Sequence, residues 1–282
     1  MPIELYVSEG RTRVRQSFVS PTVYLDHWAV RLFSDDAQLQ DELVATLLSK
    51  GGTLLLSNFS FAEFARDDDR RHTLAAEEFI ERLLPNIFLT DSALDKVHEQ
   101  EQQEQDNVRR FWPPADLPQL KLFAERAQDT PLGFTMRGFI AMARDNYAVL
   151  EQITQETLRT IREGLEAQRA DPDYVRAARN VRPTSKRTRT FIIMAELMRE
   201  FVLNPTLPLS DNDIMDMLHA AIPVNCCDFV LLDGAWDARV SKMKQRIERA
   251  GANMPVASCY SRRNNGVERF LEHLANYSAA SQ

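Results

Sequence analysis

Two short apolar runs in this chain end on aspartate: Thr22-Val23-Tyr24-Leu25 on Asp26, and Phe229-Val230-Leu231-Leu232 on Asp233. Ahead of the second run, Asp213-Ile214-Met215-Asp216-Met217-Leu218-His219 sets two carboxylates three residues apart, on one face of a helix near its start. Glu63 follows a third run, Thr53 to Ser57, in a helix that Ser60 is placed to cap. Asp228 stands just before the last run. An ionised acid at the tip of a buried strand is costly unless something neutralises it. The carboxyl edge of an α/β sheet is also where ligands bind. Clustered carboxylates repel one another, and a cation relieves them. Hard oxygen donors select Mg²⁺ or Mn²⁺ over zinc. Such ions bind phosphates and lower the pKa of water. Asp26, Glu63, Asp213, Asp216, Asp228 and Asp233 are therefore candidate metal ligands, and the chemistry they fit is metal-dependent phosphodiester hydrolysis.

The elements that must position these acids follow from the apolar spacing. Strands are expected at 22–25, 53–57, 86–90, 229–232 and 255–259. Helices are expected at 37–49, where Gly51-Gly52 stops the pattern, and at 73–84, 211–221, 236–250 and 266–277. From about 92 to 205 the pattern is helical almost throughout, with 135–168 the longest candidate and 185–203 another. Residues 1–20 read as an arm or edge segment carrying Arg11, Arg13 and Arg15. The alternation at both ends implies a mainly parallel sheet with helices on both faces. The chain divides into a discontinuous α/β core, 1–91 with 206–282, and an all-helical insertion or lid, 92–205.

Each acid has an ordinary structural role beside the chemical one. Asp26 can cap a following helix. Asp213 suits the first turn of a helix by its charge. Asp228 and Asp233 can serve turns, and Glu63 can be a solvated helix residue. His219, one turn past Asp216, is either a satisfied buried histidine or a partner of the acids, and His27 is expected to point away from Asp26. Trp28 and Trp236 are core caps or stacking platforms for bases. Residues 171–190 hold six cations (Arg176, Arg179, Arg182, Lys186, Arg187, Arg189) against two acids, so Arg182, Lys186, Arg187 and Arg189 are candidates to grip a phosphate backbone. Arg11, Arg13 and Arg15, and Arg262-Arg263, are weaker candidates.

Composition bounds the rest. A hydrophobic share of 44% excludes wholesale disorder, and scarce glycine (9) and proline (13) favour long helices over a barrel. No apolar run reaches the roughly 18–20 residues that span a bilayer, so no membrane role is expected. The N-terminus shows no signal-peptide pattern, and three cysteines without a C-x-x-C pair read as free thiols, which together imply a cytoplasmic setting. A net charge of −7 argues against a protein coated in basic surface, while leaving room for a local basic groove. No glycine-rich phosphate loop or G-x-S-x-G elbow is present.

The runs Val23-Tyr24-Leu25-Asp26, Ser57-Asn58-Phe59-Ser60-Phe61-Ala62-Glu63 and Asp216 … Leu231-Leu232-Asp233 resemble those of the PIN-domain nucleases. The resemblance covers about 21–91 and 211–260. It implies a PIN-like three-layer α/β/α fold in which Asp26, Glu63, Asp216 and Asp233 hold Mg²⁺ or Mn²⁺. It also implies a nuclease whose nucleic-acid substrate is RNA rather than DNA. The chain departs from the family in having Leu232 where Thr or Ser usually precedes the last acid, and in the size of its helical middle. Rival expectations are a catalytically inactive PIN-like scaffold and a DNA-directed nuclease of phage defence or repair. An antitoxin or other protein partner fits the family, and the apolar insertion helices leave room for a homodimer.

Overall fold

A computed structural model describes residues 3–57, 59–60, 63, 70–103, 111–129, 135–145, 147–179 and 187–278. At its centre is a five-stranded sheet built from β3 (Thr22–Leu25), β4 (Thr53–Ser57), β5 (Ile87–Thr90), β6 (Phe229–Leu231) and β7 (Ser258–Tyr260). The spatial order is β5-β4-β3-β6-β7 and all neighbours run parallel. A separate antiparallel hairpin, β1 (Ile3–Ser8) and β2 (Arg11–Gln16), precedes them.

Strands buried on both faces need mostly apolar residues, and β3, β4, β5 and β6 are buried throughout and apolar except for Thr22, Thr53, Ser57 and Thr90 at their ends. Side chains alternate between faces along a strand. Val23, Leu25, Leu54, Leu56, Ile87, Leu89, Phe229 and Leu231 enter one core. Tyr24, Leu55, Phe88 and Val230 enter the other. The first core is closed by α1 (His27–Asp35), α2 (Ala37–Ser49), α3 (Arg70–Arg82), α6 (Met136–Asp145) and α12 (Gly266–Ala275), which give it Phe33, Leu47, Phe79, Ile140 and Phe270. The second is closed by α4 (Leu94–Gln103), α7 (Tyr147–Ala170), α8 (Pro172–Arg179), α9 (Arg189–Leu203), α10 (Asp211–Cys226) and α11 (Gly234–Arg249). α5 (Leu117–Asp129) packs on β2 and contributes Leu120 to the first core. The result is an α/β protein with a parallel sheet between two helical layers.

Several boundaries differ from the sequence expectations. Residues 3–16 form a hairpin, because Glu9 and Gly10 both take positive φ (+53° and +71°), the pair of values a two-residue connection needs. The helix expected at 211–221 continues to Cys226, with Pro223 inside its last turn. α1 is the helix that Asp26 is placed to cap, and its bounds, 27–35, do not follow from the apolar spacing. Helix fills the span expected over 135–168 at 136–145 and 147–170, with residue 146 outside the described residues. None of the helices among the described residues is long and apolar enough to cross a membrane.

Candidate functional site

The strand order turns back between β3 and β6: the chain moves outward from β3 to β5, then returns to the other side of β3 with β6 and β7. Ligands of open α/β sheets bind at this switch point, outside the carboxyl ends of the strands. Asp26 ends β3 there and Asp233 follows β6 there. The backbone N–H of Asp26 donates to the carbonyl of Leu231 at 3.0 Å, which locks the two strand ends together.

Both acids are also helix caps. Asp26 precedes α1 and its Oδ1 accepts from the His27 N–H at 2.8 Å. Asp233 precedes α11 and its Oδ1 accepts from Ala235 at 2.5 Å and Trp236 at 3.1 Å. The ordinary role and the chemical role therefore coincide. A carboxylate has a second oxygen with its own lone pairs, so capping through Oδ1 leaves it able to accept further.

Asp216 lies in the second turn of α10 and is half-buried. Its Oδ2 accepts from the buried Trp236 indole N–H at 3.0 Å, so α11 orients it. Burial, then the charges of Asp26 and Asp233, push its pKa up to about 6, against the pull of the Trp236 N–H and of His219. Asp26 is raised too, first by burial and then by Glu63 and Asp233, with His219 and the His27 N–H opposing. Acids from three elements thus feel one another's charge.

His219 sits beneath them, one turn after Asp216 and 4% exposed. Burial works against its charge, but Glu63, Asp26 and Asp216 together raise its pKa to about 9. The imidazolium this favours donates from both nitrogens. Nδ1 lies 2.6 Å from the Tyr24 hydroxyl. Nε2 stands 3.3 Å from Glu63 Oε1, an ion-pair contact. Glu63 Oε2 is 3.8 Å from His27 Nδ1, so His27 faces the site rather than pointing away. Tyr24, burial first and the charges of Asp26 and Glu63 next, is held well above its usual pKa and stays a neutral phenol.

Four of the six candidate ligands, Asp26, Glu63, Asp216 and Asp233, are brought together. Asp228 is not. It is 4% exposed and starts β6 rather than ending it, so it lies at the opposite, amino edge of the sheet. There its Oδ2 accepts from Thr22 N–H at 2.7 Å and Thr22 Oγ1 at 2.9 Å, while its own N–H bonds Thr22 Oγ1 at 2.8 Å. Asp213 serves the start of α10. Its Oδ2 accepts from the Ser210 N–H at 3.0 Å and hydroxyl at 2.5 Å, in a capping box, and Oδ1 faces Arg239 at 3.8 Å.

The basic segment is redistributed in the same way. Arg189 is 3% exposed and cannot grip a phosphate from solvent. Its Nε donates to Asn225 Oδ1 at 3.0 Å and pairs with Glu101 at 3.7 Å, tying α9 to α4 and to the end of α10. Arg187 is exposed at the rim of a mostly apolar cavity of about 550 Å³ between α7, α8 and α9. Arg182 and Lys186 lie outside the described residues.

His219, Trp236 and Tyr24 are the site residues that sequence reasoning underweighted. The available signal was spacing: His219 and Trp236 each fall three residues after a site acid, which places them on the same helical face. Among the described residues no group of three His, Cys, Asp or Glu side chains is close enough to hold a metal ion as it stands. The donor set is nonetheless the kind that suits a hard divalent cation: carboxylate oxygens from separate elements, with Asp26 and Asp216 raised in proton affinity first by burial and then by the neighbouring acids. Compared with protein-family models, curated proteins and solved structures, the chain matches none of them.

Proposed function

We propose that this chain is a Mg²⁺- or Mn²⁺-dependent nuclease with a PIN-like core, hydrolysing phosphodiester bonds, in RNA rather than DNA. The observation that carries the reading is the meeting of Asp26, Asp216 and Asp233 at the switch point of the sheet, where Asp216 holds its proton up to about 6. Asp26, Glu63, Asp216 and Asp233 would hold the cation. A divalent ion there polarises a phosphate oxygen and lowers the pKa of water.

The chain's own residues divide the remaining work. The caps on α1 and α11 fix the two strand-end acids, and Trp236 fixes Asp216. His219 is a positioning residue: braced by Tyr24, it holds Glu63 against the other acids. Carboxylates arranged in this way act as ligands and not as the general base, because an acid kept beside a cation has too little proton affinity to abstract from water.

A second reading, the same fold as a non-catalytic scaffold, is favoured by one observation, that Glu63 is engaged by His219. The test is cleavage of labelled single-stranded RNA and DNA with Mn²⁺, Mg²⁺ or EDTA, comparing wild type with Asp26→Asn and Asp233→Asn. We expect metal-dependent cleavage, stronger on RNA, that both variants lose. An inert wild type that binds no metal by calorimetry would leave the scaffold reading standing.

A further inference from the structure

β7 ends at Tyr260 on the same carboxyl edge as Asp26 and Asp233, next to β6. The chain then turns through Ser261 to Asn265 before α12. That turn is pinned throughout. Ser261 is buried, and its hydroxyl donates to Asp237 Oδ2 at 2.9 Å. Its carbonyl crosses Gly266 so closely that a Cβ there would stand 2.0 Å from the oxygen. The Gly266 N–H bonds the Arg263 carbonyl at 3.0 Å. Asn264 and Asn265 take φ of +54° and +53°, a region that asparagine tolerates better than most side chains. The turn has one conformation built into it, and it presents Arg262 and Arg263 to solvent.

Each arginine lies against the helix start that follows one of the strand-end acids. The Arg262 guanidinium stacks over Trp28, 4.8 Å from the ring centroid, and Trp28 is two residues past Asp26. Arg263 lies on Gly234, next to Asp233; its Nε is 2.6 Å from where a Cβ on residue 234 would stand. Among the described residues neither guanidinium makes a salt bridge. Two exposed cations, held in place without carboxylate partners at the mouth of an acidic site, are set to meet an anion from outside. The guanidinium fork matches phosphate oxygens in pairs.

We propose that Arg262 and Arg263 are the phosphate-binding pair of this site, laying a nucleic-acid backbone across the carboxylates. This assignment rests on the nuclease reading for its ligand, and it takes over the role expected of Arg189, which is buried.

The test is fluorescence anisotropy of a short labelled single-stranded RNA in EDTA, where nothing is cut, across a salt series. Arg262→Gln with Arg263→Gln is expected to weaken binding about 10-fold or more and to flatten the salt slope by about 1.4, the release expected for two phosphates on a single strand. Lysine at both positions restores the slope but not the full affinity, because charge returns without the fork. Arg249→Gln, exposed at the far end of α11, leaves both unchanged, and thermal unfolding checks that every variant folds. Equal affinity and slope in wild type and the glutamine pair, or a wild type that binds no RNA, overturns the assignment. Cleavage in Mn²⁺ is scored separately. A wild type that binds through these arginines and cuts nothing keeps the pair and sinks the nuclease. A wild type that cuts while the glutamine pair keeps the same KM does the reverse.

Discussion

At the scale of single residues, Asp216 is where the cost of the site is most visible. Its folded pKa of about 6 lies above the unfolded value of 3.8, so it binds a proton more tightly when folded. The stability this contributes is fully present below 3.8 and is lost as the pH rises through 6. A shift of that size corresponds to roughly 3 kcal/mol, and partial exposure to solvent brings the effect down to about 1–2 kcal/mol. Asp216→Asn keeps an acceptor for the Trp236 indole and removes the charge. Without metal at pH 8 it should therefore be more stable than wild type by about 1–2 kcal/mol, measured by urea denaturation, while cleaving nothing. A variant less stable than wild type would mean that its charge is already satisfied by His219. Asp228 makes the opposite case. Asp228→Ala leaves two buried Thr22 donors without their acceptor and should cost about 2–3 kcal/mol, with cleavage per folded molecule unchanged.

At the scale of elements, the sequence was legible wherever a pattern was local. The strands at 22–25 and 53–57 and the helix at 37–49 stand where the apolar spacing puts them. The strand-end acids Asp26 and Asp233 were legible for the same reason. Asp228 was misassigned because proximity to a strand does not say which end of it faces the ligand; in a parallel sheet only the residue after the strand does. Arg189 was misassigned because its partner Glu101 lies far away in sequence, and a run of arginines reads as exposed until such a partner is seen. The extension of α10 through Pro223 ran against the usual reading of proline as a helix stop. The last turn tolerates it because the segment from Met217 to Cys226 is buried and packed on both sides. The hairpin at 3–16 has period-2 alternation in Arg11, Thr12, Arg13, Val14 and Arg15, but Glu9 is not a residue one expects at positive φ.

At the scale of the whole molecule, the helices of 92–205 supply both cores: Leu120, Ile140 and Ala143 on one face, Leu158, Leu165, Ile193, Leu197 and Phe201 on the other. A chain joined directly from 91 to 206 should not unfold cooperatively, as calorimetry would show, because each core loses a wall. The segment and the N-terminal hairpin together close the open side of β5. Gln16 takes the N–H and carbonyl of Leu89 at 3.0 and 2.9 Å, and Asp116 N–H reaches the same carbonyl at 3.1 Å, so the edge strand is covered. Against this rigid frame the acid cluster is the part under repulsion, and a cation should stabilise the entire fold through it. Mn²⁺ at about 100 times its Kd should raise unfolding free energy by about 2.7 kcal/mol. That gain should vanish with EDTA and be largely absent in Asp216→Asn. An equal rise in both proteins would place the ion elsewhere.

The double duty of Asp26 and Asp233 separates two ways of breaking this protein. Alanine at either position removes a ligand and also unties the first turn of a helix, with a cost to folding of about 1 kcal/mol each. Asparagine removes the negative charge and leaves the cap, since its side-chain oxygen can accept the same backbone bonds. The molecule can therefore be disarmed without being dismantled. With both asparagines in place and Arg262 and Arg263 untouched, the chain becomes a trap that holds an uncut strand in position, the form in which a substrate complex can be captured and its register against the site read directly.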